Sequence, residues 1–263
     1  MYEPIFQVDA FTKKPFSGNP AGVVLLKKEQ SDNWMLSVAR EMNLSETAFV
    51  IGEKSPFNLR WFTPTVEVDL CGHATLSTAH ILYERVIVEK SEMIEFKTRT
   101  GVLSASYISG WIEMDFPSFT AEEVVLGDTV VQALKYEPIE MYNSEGNIMA
   151  VFNDPEDVYN LSPDFNLMKQ LDADGVISTS LSDEAGFDFI SRYFAPKIGI
   201  DEDPVTGSSH CSLGPYWGEI LNKKILHAKQ VSDRGGELQI RIESGRTFIR
   251  GQAVTVFSGQ IHI

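Results

Sequence analysis

The chain has 263 residues, of which 43% are hydrophobic, 11% aromatic and 22% charged. At about 150 residues per domain, this length predicts two modest domains or one large domain. The composition is typical of a globular protein, and it excludes a disordered chain, a collagen and a coiled coil.

The formal net charge of −15 at pH 7 indicates which partners are unfavourable. An electrostatic field of this sign repels nucleic-acid phosphates and anionic lipid headgroups, so we expect neither a nucleic acid nor a membrane partner. A small anion is still possible as a ligand, because a pocket lined with backbone N–H groups binds anions inside an acidic protein.

Targeting signals and cysteine usage indicate the cellular compartment. The sequence contains no apolar run near the roughly 18 residues that cross a bilayer, and residues 1–6 lack a basic segment followed by an apolar one. The two cysteines, Cys71 and Cys211, are too few for a disulfide framework. We therefore expect a cytoplasmic protein with reduced thiols.

The first half of the chain predicts strands at 5–8 and 21–26 on either side of a turn-rich loop. Ser31 is a suitable cap for a helix that ends near Asn43, since asparagine tolerates the left-handed conformation of a helix end. Residues 47–51 then form a strand.

A strand at 58–62 and a helix from Gly72 to Tyr83 complete the first half, before a closing hairpin. The helix carries little charge on any side, which is unusual for a surface helix. We expect it to be enclosed by strands.

The second half predicts the same order of elements. Strands at 138–142 and 148–152 precede a helix capped by Ser162, with Pro163 in its first turn, and a strand at 176–178. A strand at 187–194 follows.

The second half then predicts a nearly uncharged helix from Gly207 to Leu221. Pro215 lies inside this helix and removes one backbone hydrogen bond. Residues 238–242 alternate between apolar and polar types, which indicates a strand with one buried face.

Sequence identities support a duplication. Residues 60–64 (RWFTP) recur at 192–196 (RYFAP), an offset of 132 residues, and Gly72 matches Gly207 at an offset of 135. A duplication fixes the architecture, so we predict an α+β fold of two pseudo-symmetric domains. Each is a mixed β-sheet barrel or roll around a central helix.

The predicted domains are residues 1–116 and residues 117–256, and the final strand at 257–263 can return to the first domain. Domain interfaces are favoured positions for pockets, so we expect a ligand cleft where the two halves meet.

The two uncharged helices supply groups that can bind an anion. Gly72 and Gly207 each open one of them, so unpaired N–H groups and the positive end of the helix dipole lie at each start. Two such ends facing one cleft would hold a carboxylate. Either motif alone is equally consistent with a helix start crowded by strands.

Two acids lie next to these motifs. Glu46 follows a helix end at the start of a strand, where apolar neighbours would raise its pKa towards neutrality and allow it to take and return a proton. A solvated surface acid is the ordinary alternative. Asp203 precedes Gly207, a position that the helix dipole alone also favours for an acid.

Five motifs together resemble one known family. In chain order they are VDAF, SGNPAGVV, EMNLSETAFV, CGHAT and GIDEDPVTGSSHC. This set, which spans nearly the whole chain, is similar to the phenazine-biosynthesis isomerase (PhzF-like) family. The resemblance implies the diaminopimelate-epimerase fold and a homodimer.

The same resemblance implies roles for individual residues. Glu46 matches the family's catalytic acid/base, and His73 and Asp203 match polar residues near the reacting substrate. The groups that match the substrate cradle are Ser45, Gly72, Gly207 and Ser208. The family uses neither a metal nor an organic cofactor, and its best-known activity isomerises a cyclic dihydro-hydroxyanthranilate by moving a proton.

We therefore predict a cofactor-independent isomerase that acts on a small carboxylate-bearing substrate. One alternative is a two-thiol amino-acid racemase or epimerase of the same fold. At the offset of 135, however, Cys71 matches Thr206 and Cys211 matches Leu76, so the thiols are not symmetry mates. A second alternative is a binding protein that has kept the cleft without the chemistry.

Two other classes of site fit the sequence poorly. His73 and His80 are seven residues apart and His210 is adjacent to Cys211, which is not zinc-ligand spacing. Ser208 lacks the G-x-S-x-G turn of a serine hydrolase.

Overall fold

The structure is a computed structural model that describes residues 2–124 and 128–262. The chain divides into unit 1, Met1–Asp115 with Arg250–Ile263, and unit 2, Phe116–Ile249. The C-terminal segment of unit 1 thus begins at Arg250 and is longer than the 257–263 expected from the sequence. In the described part of the chain, no helix is long and apolar enough to cross a membrane.

The described residues of unit 1 form two helices and a set of paired strands. Their bounds are β1 Tyr2–Ala10, β2 Asn19–Leu26, α1 Asp32–Met42, β3 Glu46–Ile51, β4 Phe57–Phe62, β5 Glu67–Val68, α2 Gly72–Glu84, β6 Ile94–Thr98, β7 Gly101–Ile108 and β8 Trp111–Pro117. Strand β1 pairs antiparallel with β2, β2 pairs parallel with β3, and β3 pairs antiparallel with β4. Strand β4 then pairs with both β5 and β6.

The sequence correctly predicts both ends of α1. The Ser31 side chain accepts a hydrogen bond from the backbone N–H of Trp34, and Asn43 ends the helix in the left-handed conformation with φ of 51°. Met35 and Val38 pack against the sheet. The left-handed residue turns the chain directly towards β3, which begins at Glu46.

Helix α2 is the buried centre of unit 1. It contacts β1, β2 and β3, and its residues from His73 to Ala79 are all buried. This confirms the prediction of an enclosed helix. Small side chains such as Ala74 and Ser77 allow strands to approach it from several sides.

Unit 2 contains the remaining helices and most of the remaining strands. Their bounds are β9 Glu122–Glu123, α3 Asp128–Leu134, β10 Glu140–Ser144, β11 Asn147–Val151, α4 Pro155–Asn160, α5 Phe165–Met168, β12 Val176–Leu181, β13 Phe189–Ala195, β14 Ile200–Asp203, α6 His210–Ile220, β15 Ile225–Gln230, β16 Gly236–Glu243 and β17 Arg246–Gly251. The last strand, β18 Ala253–His262, belongs to unit 1 and pairs antiparallel with β1.

The strand pairing of unit 2 repeats that of unit 1. Strand β10 pairs antiparallel with β11, β11 parallel with β12, and β12 antiparallel with β13. Strand β13 then pairs with both β14 and β15, as β4 does with β5 and β6. The repeated topology agrees with the duplication inferred from the sequence.

Each unit also contains the same type of ion pair. Nε of Arg60 lies 2.7 Å from Oε1 of Glu67, and Nε of Arg192 lies 2.7 Å from Oε1 of Glu202. In each pair the guanidinium makes a second bond of 2.9 Å to the other carboxylate oxygen. Arginine matches a carboxylate in this two-point geometry, so the first pair joins β4 to β5 and the second joins β13 to β14.

The predicted helix capped by Ser162 is wrong. The structure has two shorter helices here, α4 capped by Asp154 and α5 capped by Asp164. A carboxylate accepts N–H bonds from a helix start as well as a serine hydroxyl does. Pro155 occupies the first position of α4, which is the role that the sequence analysis gave to Pro163.

The predicted start of the second buried helix is also wrong, by three residues. Helix α6 begins at His210, and residues 207–209 form a tighter turn in which the N–H of His210 donates to the carbonyl of Gly207 at 3.0 Å. Helix α6 packs on β15 and β16 with Leu213 and Trp217 in its core, and Pro215 lies inside it.

Candidate functional site

The main chain positions Glu46 at the first residue of β3, beside the buried helix α2. Glu46 is the register partner of Ala21 in the parallel pairing with β2. Only 15% of its side chain is exposed. A carboxyl group at the end of a buried strand is therefore largely shielded from water while it stays fixed to the sheet.

His73 is the side chain in contact with this carboxyl group. It is the second residue of α2, and its Nε2 lies 3.3 Å from Oε2 of Glu46. Oγ of Ser45 lies 3.5 Å from the same nitrogen. Three of the residues singled out in the sequence, Ser45, Glu46 and His73, thus meet at one point in unit 1.

Cys71 completes this group through a contact with the other ring nitrogen of His73. It is the cap residue of α2, and its Sγ lies 3.5 Å from Nδ1 of His73. Donor atoms of Glu46, Cys71 and His73 all lie within 4.8 Å of one another. We call these three residues, with Ser45, the Glu46 cluster.

Burial changes the acidity of Glu46. Loss of hydration raises its pKa above the ordinary value of 4.5, because a buried carboxylate is less stable than a hydrated one. Hydrogen bonds from Ser45 and Cys71 oppose this shift, and the desolvation is the larger effect. Glu46 consequently holds its proton at a higher pH than a surface glutamate does.

The start of α2 provides donors beside the Glu46 cluster. The cap residue makes no side-chain hydrogen bond to the helix start. Gly72, the first residue of α2, has no side chain to cover the backbone. The first turn of a helix presents N–H groups and a positive dipole end, which favours a bound anion.

A second polar group lies in unit 2, at the end of β14. Asp203 is 8% exposed, and its Oδ2 accepts a very short hydrogen bond from Oγ1 of Thr206. Gln230 is fully buried and holds both ends of this turn. Its Nε2 donates to the carbonyl of Asp203 at 2.8 Å, and its Oε1 accepts from the N–H of Thr206 at 2.8 Å.

Gly207 and Ser208 follow this turn directly. Gly207 is buried and Ser208 is exposed. Because α6 begins only at His210, these two residues lie in the tight turn before the helix and not in its first turn. The structure therefore groups Asp203, Gly207 and Ser208 within unit 2, as it groups Ser45, Glu46, Gly72 and His73 within unit 1.

The second cysteine has a different environment. Cys211 lies in α6 and is 1% exposed, and burial raises the pKa of its thiol to about 12. Its helix neighbour His210 is fully buried, and loss of hydration lowers the pKa of its imidazole to about 4. Both residues remain uncharged in this setting.

The structure adds three polar residues to those expected from the sequence. They are Cys71, which contacts His73, and Thr206 and Gln230, which hold Asp203. Cys71 and Thr206 belong to motifs that were noted in the sequence. Gln230 lies 27 residues after Asp203 without a motif of its own, so only the fold reveals it.

The chain is similar to known proteins over almost its whole length. A family model described as phenazine biosynthesis-like protein, PhzC-PhzF, matches residues 8–259. An uncharacterized isomerase of Halalkalibacterium halodurans is 46% identical to the chain, over 99% of each protein. The solved structure of a PhzF family protein from Enterococcus faecalis is 40% identical, covers 100% of each chain and has a TM-score of 0.96.

A more distant solved structure shows how far the fold extends. A hydroxyproline epimerase from Agrobacterium vitis is 10% identical and has a TM-score of 0.64, over 99% of this chain and 92% of the other. At this identity only the fold is shared. The α+β fold predicted from the sequence, of the diaminopimelate-epimerase type, is thereby confirmed.

Proposed function

Since the chain belongs to the phenazine biosynthesis-like (PhzF) family, we propose that it is an isomerase that moves a proton within a small carboxylate-bearing substrate. Glu46 takes the proton from one carbon and returns it to another along a conjugated system. The observation that carries this proposal is a shielded carboxyl group, with a raised pKa, in contact with His73.

The raised pKa of Glu46 suits a group that has to serve both as base and as acid. A carboxyl group with an ordinary pKa is almost wholly ionised at neutral pH and is a weak acid catalyst. Desolvation brings the two protonation states of Glu46 closer in free energy. One side chain can then accept and return the proton without a second catalytic acid.

The neighbours of Glu46 have positioning and binding roles in this proposal. His73 and Ser45 orient the carboxyl group and the polar groups of the substrate. Nε2 of His73 lies 3.3 Å from Oε2 of Glu46 and 3.5 Å from Oγ of Ser45, so the three side chains are in contact. Gly72, at the start of α2, binds the substrate carboxylate through backbone N–H groups. In unit 2, Asp203 orients or relays protons to the substrate, and Gly207 and Ser208 bind it.

A proton moved by a single acid leaves and returns on the same face of the substrate. A racemase instead needs two groups on opposite faces of one carbon. Cys71 touches the same cluster as Glu46, so these two groups would act on one face, and a two-thiol racemase would need Cys211 as the group on the other face. Cys211, with a pKa of about 12, is a poor candidate for that role. These two observations favour the single-acid isomerase over the two-thiol racemase.

The proposal includes the expected assembly and requirements. We propose that the protein acts in the cytoplasm as a homodimer and needs neither a metal ion nor an organic cofactor for the reaction. Light scattering of the purified protein measures the assembly. Full turnover after treatment with a chelator and dialysis would support a reaction that needs no metal ion and no organic cofactor.

Solvent deuterium incorporation tests the function. The protein is incubated in D₂O with small cyclic unsaturated carboxylates, including a dihydro-hydroxyanthranilate, and mass spectrometry measures deuterium at carbon. We expect incorporation with the wild type and a loss of at least about 100-fold in Glu46→Gln, the scale of general acid–base catalysis. Glu41→Gln, at an exposed residue of α1, is the matched control.

The outcomes separate the three classes of protein. Incorporation that persists in Glu46→Gln contradicts the role of this carboxyl group. A compound that binds to the wild type without any exchange indicates the binding protein. Exchange that is lost on alkylation of Cys211, with Glu46→Gln still active, indicates the thiol racemase.

A further inference from the structure

The Glu46 cluster brings together three kinds of metal ligand that the proposed isomerisation does not need in combination. Cys71 supplies a thiol, His73 an imidazole and Glu46 a carboxylate, and their donor atoms lie within 4.8 Å of one another. Cys71 and His73 are each 7% exposed. Convergence of three such groups in a shielded position is more specific than a surface acid or a single cysteine.

The separation between His73 and Glu46 matches the size of a tetrahedral zinc site. Zinc bonds of about 2.0–2.2 Å to nitrogen and oxygen place two such ligand atoms about 3.4 Å apart across a tetrahedron. Nε2 of His73 and Oε2 of Glu46 are separated by 3.3 Å. Sγ of Cys71 lies 3.5 Å from Nδ1 of the same ring, and one donor atom from each residue lies within 4.8 Å of the other two. Binding one ion therefore requires the three side chains to draw closer together.

The charges also suit a divalent cation. A thiolate and a carboxylate together neutralise two positive charges, and the imidazole binds in its neutral form. Thiolate and imidazole ligands favour Zn²⁺ over Mg²⁺ or Ca²⁺, which prefer oxygen. Three protein ligands leave the fourth position of the ion open.

We propose that Glu46, Cys71 and His73 form an inhibitory binding site for a thiophilic divalent cation such as Zn²⁺. On binding, the Cys71 thiol and the protonated fraction of Glu46 lose their protons to solvent, and sulfur, nitrogen and oxygen each donate an electron pair to the ion. The inhibitory part rests on the proposed function, because a coordinated Glu46 carboxylate can no longer accept the substrate proton. The binding part stands independently of it.

Binding is tested with Zn²⁺ in competition with a chromophoric chelator, and with Co²⁺ as a spectroscopic probe. We expect one ion per chain and a thiolate-to-cobalt charge-transfer band. Cys71→Ser should abolish the band and weaken Zn²⁺ binding by at least about 100-fold, since even groups that only orient ligands contribute about 10–100-fold. Cys211→Ala, which removes the other thiol, should retain both.

A second measurement needs no variant. Zn²⁺ should protect Cys71 of the wild-type protein from alkylation, as read by mass spectrometry of the peptide that contains it, with a cysteine-free peptide of the same digest as the internal reference. Absence of stoichiometric Zn²⁺ binding, or a cobalt band that survives in Cys71→Ser, overturns the proposal. The stoichiometry of Zn²⁺ binding and the protection from alkylation are both measured on the wild type, so neither depends on how a variant folds.

Inhibition is measured separately through deuterium incorporation. We expect Zn²⁺ to abolish exchange in the wild type and a chelator to restore it. Zinc bound at Cys71 with exchange unchanged contradicts inhibition. Exchange that survives in Glu46→Gln contradicts the proposed function instead, whatever the result of the metal titration.

Discussion

Nε2 of His73 lies 3.3 Å from Oε2 of Glu46, although the two residues are 27 positions apart and lie on a helix and a strand. The contact exists because β3 begins beside α2, whose second residue is His73. It brings an imidazole to a carboxyl group that burial has already made less acidic.

Replacement of Glu46 should stabilise the fold at neutral pH. Because the folded pKa is raised above 4.5, the folded chain binds this proton more tightly than the unfolded chain. The contribution of this proton to the free energy of unfolding is therefore fully present below pH 4.5, and it is lost as pH rises through the folded pKa. In denaturant unfolding, Glu46→Gln should have a higher free energy of unfolding than the wild type. The difference should grow across this pH range by about 1.4 kcal/mol for each pH unit between 4.5 and the folded pKa.

Glu41→Gln is the control for that measurement, since Glu41 is exposed. Its effect on the free energy of unfolding should be small at every pH. An equal gain in both variants, or a gain for Glu46→Gln that shrinks as pH rises, would contradict the raised pKa.

Buried His210 should make the fold sensitive to acid. Its pKa of about 4 lies below the ordinary 6.5, so the unfolded chain takes up a proton that the folded chain refuses. Neutral His210 therefore contributes roughly 3 kcal/mol to the free energy of unfolding. This contribution is fully present above pH 6.5 and is lost as pH falls towards 4. Urea unfolding of His210→Gln should show a shallower decline over that range, and parallel pH profiles would contradict the prediction.

The repeated ion pairs should differ in their contribution to stability. Nη1 of Arg192 also donates to the carbonyl of Leu161 at 2.8 Å, and its side chain is 11% exposed, against 20% for Arg60. Arg192→Ala leaves a carboxylate and buried carbonyls unpaired, so a loss of about 3–5 kcal/mol is expected. Arg60→Ala should cost about 1–2 kcal/mol. Thermal unfolding checks the order, and the reverse order would be a contradiction.

Gln230 should fix the turn that carries Asp203. It bonds to the carbonyl of Asp203 and to the N–H of Thr206 from a fully buried position. In Gln230→Met, a change that keeps the length of the side chain, the amides of residues 203–208 should exchange faster with D₂O. Hydrogen exchange by mass spectrometry measures this. Faster exchange throughout unit 2, with none specific to the turn, would show general destabilisation instead.

Local sequence signals predicted much of the fold. Ser31 and Asn43 bound α1 as expected, because a hydroxyl cap and a left-handed asparagine act through bonds to neighbouring residues. The same signals failed at Ser162, where Asp154 and Asp164 offered equally good caps nearby. At Gly207 the tight turn before α6 has the residue types of a helix start, so sequence could not separate the two.

The sequence indicates which residues belong to the candidate site better than it indicates how they contact one another. Glu46, His73 and Asp203 lie in motifs that the sequence displays, and the family resemblance gives them roles. The approach of Cys71 and His73 to Glu46 depends on how β3 lies beside α2, which no local pattern encodes. The support of Asp203 by Gln230 likewise depends on the neighbouring ends of β14 and β15.

The proposed proton transfer depends most directly on Glu46 holding its proton at a higher pH than an ordinary glutamate does. A ¹³C-carboxyl NMR titration of the substrate-free protein, with the Glu46 signal assigned by its absence in Glu46→Gln, measures this pKa. We predict a midpoint above the ordinary value of 4.5. A midpoint at or below that value would contradict a desolvated acid/base and, with it, the proposed proton transfer.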